Sequence, residues 1–131
     1  MNEKMLVSAA KKEIEELASY EVAPPEQYNT VKRKYLSPKL CYKKAYAYML
    51  SLKGKASENV KLVHGHYNHF PESFGHAWVE LPGGIVFDGV LKRFYSRADY
   101  YKMKDLYKDA EYSKKEAHIL ALSQRHYGPW H

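Results

Sequence analysis

The feature that most narrows what this chain can become is a turn. Pro82-Gly83-Gly84 separates two runs, 75–81 and 85–90, in which apolar residues recur at every second position. Alternation of that kind marks half-buried strands, and a proline followed by two glycines is hairpin punctuation. A three-residue loop pairs Leu81 with Ile85. Ala77, Val79, Leu81, Ile85 and Phe87 then share one face, a continuous apolar surface for a core. The same register sets His76 opposite Val90, with Asp88 as its diagonal neighbour on the same face. A loop one residue shorter would put His76 and Asp88 on opposite faces, so the meeting of imidazole and carboxylate depends on this turn.

Helical periodicity brackets the hairpin. In residues 3–19, Leu6, Ala10, Ile14 and Leu17 fall on one stripe, as in an amphipathic helix ended by Ala23-Pro24-Pro25. Residues 24–36 read as a surface loop. Ser37-Pro38 is a helix start, a capping side chain before a proline suited to the first helical position. Cys41, Ala45, Tyr48 and Leu52 then line one helical face, which Gly54 stops. Val60–Val63 reads as a short strand, followed by a polar, histidine-rich stretch that Pro71 ends. Near the C-terminus Ser113-Lys114-Lys115-Glu116 has the pattern of a capping box ahead of a helix over Ala117–Arg125, closed by Gly128-Pro129. These elements predict a single α+β domain over residues 1–131: helix, loop, cysteine-bearing helix, antiparallel sheet, C-terminal helix.

Size and composition bound the function. A chain of 131 residues with 45% hydrophobic content buries a core without disulfides, and its one cysteine cannot form one internally. The N-terminal stretch is interrupted by charge and does not read as a signal peptide, and no run of residues is long enough to span a bilayer. These features predict a cytoplasmic protein with no membrane association.

The lone thiol matters chemically through its neighbours. A thiol becomes nucleophilic as a thiolate, which a helix N-terminus and a nearby imidazole both favour. Cys41 is placed for the first and His76 for the second, and a carboxylate on the adjacent strand, Asp88, orients the ring.

At this point the residues resemble a family. Cysteine, then histidine, then aspartate is the chain order of the transglutaminase-like branch of the papain-like cysteine protease superfamily. Here Cys-Tyr-Lys-Lys-Ala opens a helix at Cys41, Gly-His-Ala-Trp-Val-Glu begins at Gly75, and Val-Phe-Asp ends at Asp88. The resemblance covers about residues 37–90. It implies a papain-like core, with a cysteine-bearing helix packed on an antiparallel sheet that carries histidine and aspartate. It also implies attack on an amide or ester carbonyl through a thioester, with water as acceptor in a peptidase or deamidase and an amine as acceptor in a transglutaminase. Catalytic roles follow for Cys41 as nucleophile, His76 as general base and then acid, and Asp88 as the group that orients it. The substrate implied is a protein or peptide amide, and no cofactor or metal is called for. The family's tryptophan beside the cysteine is absent, with Leu40 before Cys41 and Tyr42 after it. The backbone N–H of Cys41 is one natural oxyanion donor, and Gln27 or Asn29 are candidates for another.

Other readings attach to the same residues. The cysteine also suits plain packing in a catalytically silent protein-binding module on the same fold. His64, His66 and His69, with His76, invite a metal site, although no carboxylate stands at a familiar ligand spacing. A net charge of +6 and thirteen tyrosines suit a nucleic-acid binder. Tyrosines 95, 100, 101, 107 and 112, set among lysines and arginines, read instead as a helix that uses tyrosine as amphipathic cover over the core. Trp78 reads as structural.

Overall fold

Leu81 does face Ile85 across the Pro82-Gly83-Gly84 turn, and Glu80–Val86 and Val79–Phe87 follow in register. Both glycines take the left-handed backbone that a tight loop asks of them, with φ of +84° and +72°. This is seen in a computed structural model that describes residues 2–31, 36, 40–68 and 75–130.

The hairpin strands β2 (Gly75–Leu81) and β3 (Ile85–Asp88) lie within a five-stranded antiparallel sheet. The other strands are β1 (Lys61–Tyr67), β4 (Arg93–Ser96) and β5 (Leu106–Tyr112), and the order across the sheet is β4-β3-β2-β1-β5. Among the described residues four α-helices accompany it: α1 (Glu3–Leu17), α2 (Cys41–Ser51), α3 (Arg97–Lys104) and α4 (Lys114–Gln124). The chain is therefore an α+β domain, as the alternating elements predict.

Both faces of the sheet are covered. The face carrying Ala77, Val79, Leu81 and Phe87 packs against Ala45, Tyr48 and Met49 of α2, Leu52 just after it, and Ala117 of α4. The opposite face carries Val63, Trp78, Val86 and Tyr95, and is closed by Ala10 and Leu17 of α1 and Tyr100 of α3. Burying an aromatic or aliphatic side chain contributes roughly 1.5–3 kcal/mol, so these two layers supply most of what holds the fold together.

Local chemistry explains where several elements begin. Asn2 caps α1 by accepting from the Met5 N–H at 2.9 Å. Ser113 and Glu116 form both halves of the capping box at the start of α4. Other boundaries differ from the sequence reading. The α2 helix begins at Cys41, with Leu40 as its cap in a left-handed conformation (φ 66°), and it ends at Ser51, short of Gly54. Ser37 and Pro38 lie outside the described residues, as do His69 and Pro71. The α4 helix stops at Gln124, before Gly128-Pro129, because Arg125 takes the left-handed cap position.

Two segments depart further. The histidine-rich stretch is not a loop as far as Tyr67. It continues β1, because the His64 ring is buried among Tyr42, Tyr112 and Trp130. Residues 92–115 are not one helix. They form β4, α3 and β5, with Tyr95 and Tyr100 fully buried and Tyr107 exposed. The edge strand β5 carries Lys108, Asp109 and Glu111, and charges of this kind discourage further strand pairing.

Candidate active site

The site forms where the first turn of α2 meets the ends of β2 and β3. Gly89 permits the approach. A Cβ on that residue would lie 2.7 Å from the Lys44 Cβ and 3.1 Å from the Ala45 nitrogen. The helix thus rests on bare backbone just past β3, and Cys41, its first residue, comes to line a cavity of about 470 Å³ together with His76 and Asp88. The structure brings together the three residues singled out from the sequence.

Asp88 is fully buried and fully engaged. Its Oδ1 accepts the backbone N–H groups of Val90 and Leu91, each at 2.9 Å. Its Oδ2 accepts the Tyr100 hydroxyl at 2.6 Å and stands 3.6 Å from His76 Nε2. Burial pushes the carboxyl up, but the hydrogen bond and charge of His76, then the Tyr100 hydroxyl and the Leu91 N–H, hold it below its ordinary value. Asp88 is an anion in the folded chain at neutral pH.

His76 Nε2 lies 2.8 Å from the Tyr100 oxygen. Tyr100 donates to Asp88, so its oxygen accepts from Nε2–H, whether the ring is neutral or charged. Nδ1 is then the ring nitrogen left for the thiol. Burial pushes the imidazole down, yet hydrogen bonds and charge from Asp88 and Cys41 raise it to about 9. The Tyr67 ring lies tilted beside it, with centroids 5.4 Å apart, and the Trp78 ring lies 5.7 Å away. This aromatic packing keeps the ring from turning.

Cys41 is partly exposed. It occupies the first helical position, and the first bond of that turn runs from the Lys44 N–H to the Leu40 carbonyl at 2.9 Å. The N–H groups of Cys41, Tyr42 and Lys43 therefore precede the helical ladder, and no described side chain caps them. Such groups favour a negative charge on sulfur or on an adjacent oxygen.

Lys104 and Glu13 also belong to the cavity wall. Lys104, at the end of α3, places Nζ 3.8 Å from Asp88 Oδ2 and pairs with Glu13 of α1. Burial pulls its ammonium down to about 8. Neither Tyr100 nor Lys104 announces itself in the sequence. Both sit on a short polar helix inside a tyrosine- and lysine-rich segment, and their partners are reached only through the fold.

Other sequence candidates fall elsewhere. Gln27 and Asn29 flank Tyr28, whose carbonyl accepts the Tyr48 hydroxyl at 2.7 Å. That holds their segment against the far half of α2, about 10 Å of helix beyond Cys41, so neither supplies an oxyanion donor. His64 and His76 point to opposite faces, because Gly65, not His64, is the partner of His76 across β1 and β2. His66 pairs with Asp109 at 2.8 Å on the exposed edge, and His69 lies outside the described residues. Among the described residues, no group of three or more histidine, cysteine or acidic side chains is placed to hold a metal ion. No described helix is long and apolar enough to cross a membrane.

A thiol at a helix start, a buried imidazole and a buried carboxylate, in that chain order, define the class of site. Comparison with family models, with curated proteins and with solved structures finds no match to this chain.

Proposed function

We propose that this protein is a thiol-dependent acyl-transfer enzyme with a papain-like, transglutaminase-like core, acting on protein or peptide amides. The observation that carries the reading is the line of contacts from Asp88 through Tyr100 to His76, with Cys41 lining the same cavity as the imidazole. In this reading His76 takes the Cys41 proton on Nδ1, and its charge is balanced by Asp88. The thiolate attacks the carbonyl carbon, and the developing oxyanion faces the N–H groups that open α2. His76 then returns the proton to the leaving amine, which departs and leaves a thioester. Water or an amine, relieved of a proton by the same ring, attacks that thioester and regenerates the thiol.

The placement of the tyrosines bears on the nucleic-acid alternative. Stacking of bases needs exposed rings, and of the five tyrosines in 92–115 both Tyr95 and Tyr100 are fully buried.

Iodoacetamide alkylation at mildly acidic pH tests the reading, followed by mass analysis, for the wild type, His76→Ala and Asp88→Ala. Cys41 of the folded protein is expected to react faster than in the urea-unfolded chain and to slow at least about tenfold in His76→Ala, as expected on loss of an activating base. Incubation with a glutamine-rich unstructured protein and a fluorescent primary amine, read as ammonia release and amine incorporation, then separates hydrolysis from transamidation. A thiol that reacts no faster folded than unfolded, and is indifferent to His76, overturns the proposal.

A further inference from the structure

Lys104 is an unusual wall for such a cavity. It is only 9% exposed, and a desolvated ammonium is costly unless an anion meets it. Its Nζ stands 5.6 Å from the ring centres of both Tyr67 and Tyr100, which supply weak cation–π attraction. Asp88 is near but already engaged. That carboxylate accepts from Val90, Leu91 and Tyr100 and faces the imidazole, so it serves His76 first.

The anion that answers Lys104 comes from α1. Glu13 hydrogen-bonds Nζ, and its own side chain is 32% exposed. Leu6, Ala9 and Ala10 of the same helix line the cavity with Cys41 and His76. Of α1 only Ala10 and Leu17 are buried. The helix therefore lies along the cleft as a bound segment would, with a carboxylate set on the cleft's cation and Leu6, Ala9 and Ala10 lining the cavity that the thiol also lines.

We propose that Lys104 is the anion anchor of the acyl-donor cleft, and that Glu13 occupies in cis the place of a substrate carboxylate. The substrates are then amides or esters that carry a carboxylate close to the reacting carbonyl, acidic peptides above all. They enter by displacing Glu13. This rests on the acyl-transfer reading of Cys41.

Iodoacetate and iodoacetamide test it on the full chain. Both deliver a two-carbon group by the same step, in which the thiolate attacks the methylene carbon and iodide leaves. Only the far end differs, a carboxylate in one and an amide in the other. The readout is the ratio of their rates at Cys41 at neutral pH. Glu13→Gln frees the anchor and is expected to raise the ratio by about tenfold, the low end of what a hydrogen bond to a charged group contributes. Lys104→Met is expected to bring the ratio below that of the wild type, and to cancel the rise in the double variant. Glu16→Gln, on the exposed side of α1, removes the same charge and is expected to leave the ratio unchanged. Thermal melts accompany each variant, and if Lys104→Met does not fold, the Glu13 and Glu16 variants decide. A ratio that ignores Glu13, or rises equally in Glu16→Gln, overturns the anchor while leaving a reactive Cys41. A thiol that reacts no faster folded than unfolded overturns the acyl-transfer reading as well.

Discussion

His76 Nε2 and Asp88 Oδ2 stand 3.6 Å apart, and the Tyr100 hydroxyl spans them, 2.8 Å from the nitrogen and 2.6 Å from the oxygen. Imidazole and carboxylate are thus coupled through a phenol from a different element, as well as by direct charge. Burial, then the Asp88 charge, raises the Tyr100 hydroxyl well above its ordinary value, which keeps it protonated and a donor at neutral pH.

Tyr100→Phe removes that donor without emptying the space. Asp88 Oδ2 then keeps only charge contacts in its buried position, and His76 Nε2–H loses its acceptor. A buried polar group left unpaired costs about 1–3 kcal/mol, so the urea midpoint is expected to fall accordingly. Alkylation of Cys41 at mildly acidic pH is expected to slow, though less than in Asp88→Ala, because the carboxylate charge remains. A variant as stable and as reactive as the wild type would show the phenol to be a bystander.

The pH dependence of stability has a defined shape. His76 is raised from 6.5 to about 9. Folding favours its protonated form, so the stability this supplies is complete below 6.5 and lost as pH climbs through about 9. Lys104 is displaced the other way, from 10.5 to about 8. Folding disfavours its charge, so its penalty is complete below about 8 and fades toward 10.5. The urea midpoint is therefore expected to drop between about 6.5 and 8, where only His76 of the two titrates, and to flatten above that as Lys104 is relieved. His76→Gln should abolish the drop, and Lys104→Met should steepen the decline above about 8. Equal slopes in wild type and His76→Gln would refute the assignment.

Gly89 controls how closely the thiol approaches. A methyl there meets Lys44 Cβ at 2.7 Å and the Lys44 carbonyl carbon at 3.0 Å, both part of the α2 framework. Gly89→Ala is expected to push α2 off the sheet end, at about 1–3 kcal/mol for forced overpacking. It should also weaken the dependence of Cys41 alkylation on His76. Denaturation and alkylation measured together separate the two effects, and no change in either would mean that the helix shifts freely.

What could be read beforehand divides along physical lines. The hairpin register was legible because one loop length alone leaves Ala77, Val79, Leu81, Ile85 and Phe87 on a single face, and His76 beside Asp88 came with it. The α4 start was legible because a capping box is local chemistry, written in four consecutive residues. The continuation of β1 was not, since His64 is buried by aromatic rings brought from α2, β5 and Trp130, a tertiary effect that local polarity hides. Nor was β5, whose edge position exposes Tyr107, Lys108 and Asp109 in succession and erases the alternation. Tyr100 and Lys104 were invisible for a related reason. Each acts across long sequence separation, on residues whose position depends on the completed sheet.

The string Gly-His-Ala-Trp-Val-Glu, which drew attention for its histidine, has a structural second half. Glu80 is 6% exposed and accepts Trp78 Nε1–H at 3.2 Å, the Tyr101 hydroxyl, and Lys108 Nζ at 3.0 Å. Burial pushes its carboxyl up, but these donors hold it below its ordinary value. Its contribution is present above about 4.5 and lost as the pH falls through the folded-state value. Glu80→Met keeps the bulk and strands the Trp78 and Tyr101 donors, while Lys108 keeps Glu111, so a loss of about 2–4 kcal/mol is expected by urea denaturation. Glu80→Gln should lose less and flatten the acid side of the stability profile. In both variants Cys41 should keep its reactivity wherever the chain remains folded, because Glu80 sits toward the opposite end of β2 from His76. Collapse of that reactivity in a folded Glu80 variant would mean that the two ends of the strand are coupled.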